Sequence, residues 1–203
     1  MNKTYARLEK NNAAVLLVDH QTGLFSLVRD IEPDQFNNNV LALADLAKYF
    51  NLPTILTTSF EEGPNGPLMP ELKEKFPAAP YIARPGQINA WDNEDFVKAV
   101  KATGRQQLII AGIVTEVCVA FPALSAIEEG FDVFVVTDAS GTFNEVTRHS
   151  AWERMSAAGA QLMTWFGEKE AIPPPPPLLV LSLKMQFSKR AKEPSLTLTA
   201  PPE

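Results

Sequence analysis

Four short apolar runs, each rich in β-branched residues, recur along the chain and constrain its fold more than any other feature. They are AAVLLVD at 13–19, PTILTT at 53–58, QLIIAG at 107–112 and FDVFVVTD at 131–138. An uninterrupted apolar run is typical of a strand that is covered on both faces in a parallel sheet. Weaker strand candidates are YIA at 81–83 and AQLMTW at 160–165.

Helical patterns separate these runs. Apolar residues recur at helical spacing from Phe36 to Ala47, and again from Phe96 to Val100 after an Asp92 cap. A Thr142 to Glu145 capping box predicts a further helix start. The alternation predicts a single-domain α/β fold, with a doubly wound (Rossmann-like), mostly parallel sheet flanked by helices on both faces. Any site should then lie at the carboxyl ends of the strands.

The charge and cysteine content narrow the function. The formal net charge is -6, and the absence of a Lys or Arg cluster argues against a nucleic-acid partner. No apolar run approaches the roughly 18 residues of a membrane span, so we expect a cytoplasmic protein without a membrane partner. The one cysteine rules out an intramolecular disulfide and a four-thiolate zinc site.

Three chemically distinct side chains follow predicted strands and should meet at one rim of the sheet. Asp19 ends the first strand, Arg84 ends the third candidate, and Cys118 lies just beyond the fourth. They could act as base, electrostatic stabiliser and nucleophile in acyl transfer. Thr115 is the expected N-cap of a helix whose first turn holds Cys118, an environment that would favour the thiolate.

The segments VLLVDHQ, YIARPGQINAW and GIVTEVCV resemble the three motif segments of the isochorismatase-like cysteine hydrolases, most of all their YcaC-type branch. The resemblance covers about residues 10–166. It implies a catalytic triad of Asp19, Arg84 and Cys118, with an arginine where the family has a lysine. Because arginine keeps its proton at working pH, Arg84 could orient Asp19 but could not relay a proton. Asp19 is left as the base.

The resemblance implies further features of the site and of the assembly. A cis peptide is expected between Ile113 and Val114, and the backbone N–H groups of Val114 and Cys118 would form the oxyanion hole. The implied activity is hydrolysis of a small-molecule amide or related acyl substrate through a thioester, without a cofactor. The branch also implies a homo-octamer, which would bury the loop residues Leu68 and Met69.

Aromatic residues and histidines also lie near the motifs. Phe25 and Trp91 are predicted to contact the substrate, although core packing explains such aromatic residues equally well. We predict no metal site, because neither His20 nor His149 lies in the Asp-x-His motif of metal-binding relatives. His20 should point to the opposite face of the strand end from Asp19.

Hydroxyl and carboxyl groups also follow the strand at 131–138. They are Asp138, Ser140 and Thr142. Hydrogen bonds to the side chains of the site and turn or cap roles explain them equally, so we leave them out of the catalytic set.

Other functions compete with thioester hydrolysis. The chain could be a catalytically weakened binding or scaffold oligomer, for which Arg84 is the evidence. Vinyl-ether hydrolysis needs a general acid and would leave Cys118 unexplained. Dinucleotide binding is disfavoured because no G-x-G-x-x-G follows the first strand.

Residues 60–80 are predicted to be a long loop, because Gly and Pro interrupt them.

The character of the chain changes near its end. Residues 1–167 are predicted to form the hydrolase domain and residues 168–203 a Pro-rich tail. The tail combines PPPPP with LLVLSL, and we predict that it is not authentic family sequence. A genuine disordered extension is the alternative.

Overall fold

The structure is a computed structural model that describes residues 5–167. These residues belong to one compact unit. The predicted Pro-rich tail, residues 168–203, lies outside the described residues, so the predicted boundary at 167 stays a prediction.

Strands and helices alternate along the described chain. The strands are β1 Ala13–Val18, β2 Thr54–Ser59, β3 Tyr81–Arg84, β4 Gln107–Gly112, β5 Asp132–Val136 and β6 Gln161–Met163. The α-helices are α1 Thr22–Phe25, α2 Pro33–Tyr49, α3 Pro70–Lys75, α4 Glu94–Ala102, α5 Ala120–Glu128 and α6 Glu145–Ala158. Short 3₁₀ turns cover Ala90–Asp92 and Thr137–Ala139, and a π-helical turn covers Thr115–Val119.

The six strands form one parallel sheet in the order β3-β2-β1-β4-β5-β6. Leu16 of β1 lies between Ile55 of β2 and Ile110 of β4. Every residue of β1, β2 and β4 is buried, as expected of strands covered by helices on both faces. The predicted doubly wound α/β fold is confirmed, and all four strong strand candidates are strands of this sheet.

The carboxyl end of β4 approaches β1 very closely. A side-chain carbon built on Gly112 would lie 2.3 Å from the carbonyl oxygen of Val18. Only glycine therefore fits at this position, where β4 leads into the segment that carries Cys118.

Two predicted helix caps are wrong by one or two residues. The N-cap of α4 is Asn93, whose side chain accepts a hydrogen bond from the Phe96 N–H, and not Asp92. The N-cap of α6 is Asn144, which accepts from the Thr147 N–H. Thr142 is instead buried against another part of the chain, so its hydroxyl is not available as a cap.

The predicted loop at 60–80 contains a helix, and its apolar residues are already covered. Pro70 is compatible with helix because it occupies the first turn of α3. Leu68 and Met69 are only 4% and 5% exposed in the single chain. Leu68 bridges Gln21, and the Met69 N–H bonds the His20 carbonyl. The expectation that an oligomer is needed to bury these two residues is therefore wrong.

Within residues 5–167, no helix is both long enough and apolar enough to cross a membrane.

Candidate active site

Asp19 lies at the first position after β1, where the backbone turns sharply. Its φ of 56° is in the left-handed region, and its N–H still bonds the Thr57 carbonyl at 2.9 Å as the sheet ends. The residue has no solvent exposure. Oδ1 accepts a hydrogen bond from Arg84, and Oδ2 is buried without a nitrogen or oxygen donor among the described residues.

Arg84 is the last residue of β3 and is almost completely buried. Its guanidinium group donates in three directions: Nε to Thr57 Oγ1 at 3.0 Å, Nη1 to the Gln87 carbonyl, and Nη2 to Asp19. Thr57 in turn donates its hydroxyl proton to the Ile82 carbonyl at 2.8 Å. These contacts hold the guanidinium plane against one edge of the Asp19 carboxylate, so that the other carboxylate oxygen is left for a different partner.

Cys118 lies in the π-helical turn Thr115–Val119, before α5 begins. The predicted cap is wrong: Val114 occupies the N-cap position, and its side chain makes no capping hydrogen bond. The Thr115 hydroxyl is buried without a partner among the described residues. The peptide bond between Ile113 and Val114 is cis, at the position that the family resemblance implied.

The thiol of Cys118 meets the carboxylate of Asp19 in a buried setting. Burial raises the pKa of the thiol, and the negative charge of Asp19 raises it further. A hydrogen bond from the Val114 N–H and the positive charge of Arg84 oppose these effects only in part. The prediction that a helix start would favour the thiolate is therefore wrong for the resting site: Cys118 is held as a neutral thiol.

Asp19 experiences opposing influences. Burial raises the pKa of its carboxyl group, while the charge and hydrogen bond of Arg84 and a hydrogen bond from the Cys118 thiol lower it. Burial is the largest of these influences, so the pKa is raised overall. A carboxylate with a raised pKa is a stronger base than an exposed one. The geometry thus joins an acceptor, Asp19, to a proton donor, Cys118, with a fixed cation behind the acceptor.

The two aromatic residues predicted to contact substrate differ in position. Phe25 is half-buried at the end of α1 and packs on Phe36, with 4.8 Å between ring centroids. Trp91 packs edge-on against Phe96 and Phe131, and its indole N–H donates to Glu129 at 2.8 Å. These contacts give Trp91 a packing role, and a substrate contact for either residue stays a prediction.

The two histidines differ in environment. His20 is completely buried and its Nε2 lies 3.0 Å from the Ala139 carbonyl oxygen; burial lowers its pKa to about 4. It is therefore neutral at pH 7. His149 is exposed and packs against Trp152. In the part of the chain that the structure describes, no group of three or more His, Cys, Asp and Glu side chains could hold a metal ion.

Gln21, which sequence reasoning missed, joins the site to the loop after β2. Its amide accepts from the Ser59 N–H at 2.9 Å and donates to the carbonyls of Ser59 and Gly66. Gln21 stands two residues after Asp19 in the first motif segment, which was the available signal. These hydrogen bonds connect segments that are distant in the sequence, and they account for a polar side chain at this position.

The described fold is similar to that of known proteins. The model of the isochorismatase domain family matches residues 13–166. The chain is 86% identical to the probable hydrolase YcaC of Escherichia coli over 167 residues, which cover 82% of this chain and 80% of that protein.

Two solved structures are also similar. One is E. coli YcaC, an octameric hydrolase of unknown specificity (TM-score 0.86, 78% identity, covering 92% of this chain and 91% of that one). The other is YcaC from Pseudomonas aeruginosa with hexane-2,5-diol and covalent acrylamide (TM-score 0.82, 78% identity, covering 83% and 84%).

Proposed function

Because the chain belongs to the isochorismatase family, whose relative YcaC is a probable hydrolase, we propose that it hydrolyses a small amide or related acyl compound through a thioester on Cys118. One observation carries the proposal. A buried thiol meets a buried carboxylate whose second oxygen has no nitrogen or oxygen donor among residues 5–167. That pairing is what a nucleophile and its base require.

In the first half-reaction the Cys118 sulfur attacks the carbonyl carbon of the amide. The thiol proton passes to Asp19 as the sulfur–carbon bond forms, and the carbonyl electron pair moves onto oxygen. The Val114 N–H, which already interacts with the sulfur, and the Cys118 N–H would stabilise that oxyanion. When the oxyanion collapses, the carbon–nitrogen bond breaks and the leaving amine takes the proton from Asp19. The products are the free amine and a thioester.

In the second half-reaction water attacks the thioester carbon. Asp19 accepts a proton from the water, and the carbon–sulfur bond breaks as the new tetrahedral oxyanion collapses. The departing sulfur takes the proton back from Asp19, which restores the neutral thiol and releases the carboxylic acid. A thiol with a raised pKa needs a base when it attacks, and water needs one when it attacks the thioester, so both half-reactions depend on Asp19.

Arg84 acts as the fixed cation of the site. It keeps Asp19 oriented and favours its charged form through a hydrogen bond and through its charge. Arginine does not give up a proton under working conditions, so Arg84 takes no part in proton transfer. This role differs from that of a lysine, which could lose its proton.

The assembly, cofactor requirement and location are part of the same proposal. The similar E. coli structure is octameric, and we propose a homo-octamer for this chain. We also propose that the reaction needs no cofactor and takes place in the cytoplasm.

A binding or scaffold protein with weakened turnover is the second candidate. Arg84, in the position where the family resemblance implies a lysine, is the observation that favours it. The intact contact between Asp19 and Cys118 favours the enzyme, because a scaffold has no need for a buried thiol beside a carboxylate.

A screen of small amides tests the proposal and separates the two candidates. Wild type and Cys118→Ala are incubated with each amide, and the acid and amine are detected by mass spectrometry. We expect wild type to hydrolyse at least one of the amides and Cys118→Ala to hydrolyse none of them. Thr147→Val, which alters a hydroxyl that bonds Asn144, is the matched control and should keep wild-type turnover. Hydrolysis that survives in Cys118→Ala would exclude the thioester, and no hydrolysis by wild type would favour the scaffold.

A further inference from the structure

The segment Ala139–Thr142, which follows β5, lies against residues 112–115, the stretch of chain that leads to Cys118. The Gly141 N–H bonds the Gly112 carbonyl at 3.1 Å, and the Thr115 N–H bonds the Gly141 carbonyl at 3.0 Å. Ile113 and Gly141 pair as in a parallel ladder. The backbone on both sides of the Ile113–Val114 bond therefore rests on this segment.

Thr142 ends the segment and is bonded through all its polar groups. Its hydroxyl donates to the Glu116 carboxylate, its N–H donates to Asp30 Oδ1 at 2.8 Å, and its carbonyl accepts from the Arg29 N–H at 2.9 Å. Thr142 has no solvent exposure. Two of these bonds fix its main chain to the 29–30 turn, so the hydroxyl is presented to Glu116 from a rigid support.

Glu116 stands two residues before Cys118 in the same π-helical turn. Its side chain is held by Thr142, and its backbone carbonyl accepts from Arg154 Nη2 at 2.9 Å. The turn has no side-chain cap of its own. The Thr142 hydroxyl therefore holds this turn through a side chain of the turn itself, in addition to the bond from Arg154 to its backbone.

We infer that Thr142 is a positioning residue for the nucleophile, acting through its hydroxyl bond to Glu116. The inference rests on the proposed function, since it assumes that Cys118 is the nucleophile. Thr142 itself touches neither Cys118 nor Asp19 in any hydrogen bond of the described residues. It sets where the Cys118 sulfur points relative to the Asp19 carboxylate, and so it affects reactivity more than the fold.

The rate at which acrylamide alkylates Cys118 measures this positioning without a known substrate. The sulfur adds to the terminal alkene carbon, and the thiol proton ends on the carbon beside the carbonyl. Wild type, Thr142→Val, Thr142→Ser, Glu116→Ala and the Thr142→Val/Glu116→Ala double variant are compared by intact mass over time. Thr147→Val, which removes a hydroxyl on the nearby helix α6, is the matched control.

The expected result is a specific pattern across these variants. Thr142→Val and Glu116→Ala each slow alkylation about tenfold, or about 1.4 kcal/mol, because the charge-assisted bond is lost. The double variant is no slower than either single variant, because both remove one bond. Thr142→Ser stays within about twofold of wild type, and Thr147→Val is unchanged.

Three outcomes would overturn the inference while leaving the proposed function intact. These are wild-type rates in Thr142→Val, additive losses in the double variant, and equal losses in Thr142→Val and Thr147→Val. If Thr142→Val does not fold, Glu116→Ala still decides, because Glu116 is only half-buried. Wild type that takes up no acrylamide at Cys118 would instead count against the proposed function, and the inference would fall with it.

Discussion

Removing Arg84 should destabilise the protein strongly, and more so at high pH than at low pH. Arg84 and Asp19 form an ion pair in which both side chains have no solvent exposure. Breaking such a pair by removing one partner costs about 3–5 kcal/mol, because the other charge is left buried and uncompensated. For a domain of this size 1 kcal/mol corresponds to about 2–4 °C. Arg84→Met should therefore lower the melting temperature by about 6–20 °C at pH 7.5.

The pH dependence follows from the direction of the Asp19 shift. Burial already raises the pKa of Asp19 above its usual 3.8, and Arg84 is the main influence that lowers it. Without Arg84 the pKa in the folded state rises further. When the pKa of a carboxyl group is higher in the folded than in the unfolded protein, the protonated group favours folding. This stabilisation is complete below a pH of about 3.8 and is lost as the pH rises through the folded-state pKa. The loss in Arg84→Met should therefore be smaller at pH 5 than at pH 7.5.

Urea unfolding at a fixed protein concentration, followed by tryptophan fluorescence, measures these differences. The double variant Asp19→Asn/Arg84→Met should recover part of the loss, because neither charge remains buried alone, although the bonds from Arg84 to Thr57 and Gln87 stay broken. Arg7→Met, at an exposed position, is the matched control and should change stability by less than about 0.5 kcal/mol. Equal losses of unfolding free energy at pH 5 and pH 7.5 in a folded Arg84→Met protein would show that the loss does not depend on the ionisation of Asp19.

Three further predictions follow from the same structure. Because burial and Asp19 raise the thiol pKa, the pH profile of Cys118 alkylation by iodoacetamide should inflect above the usual thiol pKa of about 8.5. Asp19→Asn should move the inflection to lower pH. An unmoved inflection would show that the two groups do not interact. Gly141→Ala should cost about 1–3 kcal/mol in urea unfolding, because its new carbon would lie 2.7 Å from Val28 and 3.0 Å from Phe36, whereas Gly167→Ala, with its nearest neighbour at 3.6 Å, should be neutral. Light scattering at micromolar concentration should give about eight times the 22.3 kDa chain mass, and a monomeric mass would contradict the proposed octamer.

The sheet was predictable because its signal is local. β1, β4 and β5 are mostly apolar runs and β2 is rich in β-branched residues, and the structure begins and ends these strands within about two residues of the prediction. The convergence of Asp19, Arg84 and Cys118 was also predictable, because the carboxyl ends of parallel strands share one rim. For these features, pattern along the chain and position in space carry the same information.

Caps and loop contacts were not predictable, because they depend on distant partners. The local sequence predicts Thr142 as a helix cap, but its hydroxyl donates to the Glu116 carboxylate. The sequence predicts Leu68 and Met69 as exposed loop residues, but their backbone bonds Gln21 and His20 in the segment that follows β1. More than one polar residue precedes α4 and α6, and the folded structure decides which of them caps each helix.

The state of the Cys118 thiol was the largest error in the site. A cysteine near a helix start is expected to be a thiolate when it is exposed to the helix dipole and to cations. In this fold the same sulfur is buried beside a carboxylate, and both effects act in the opposite direction. Burial is a property of the folded chain, so the sequence pattern could not reveal which influence is larger.

Trapping the covalent intermediate would show whether hydrolysis passes through a thioester on Cys118. Wild-type protein is mixed with an amide that it hydrolyses, quenched with acid within the first turnover, and examined by intact mass and peptide mapping. We expect a mass increase equal to the acyl group, located on Cys118 and absent from Cys118→Ala. An acyl group on another residue, or turnover that continues in Cys118→Ala, would contradict it.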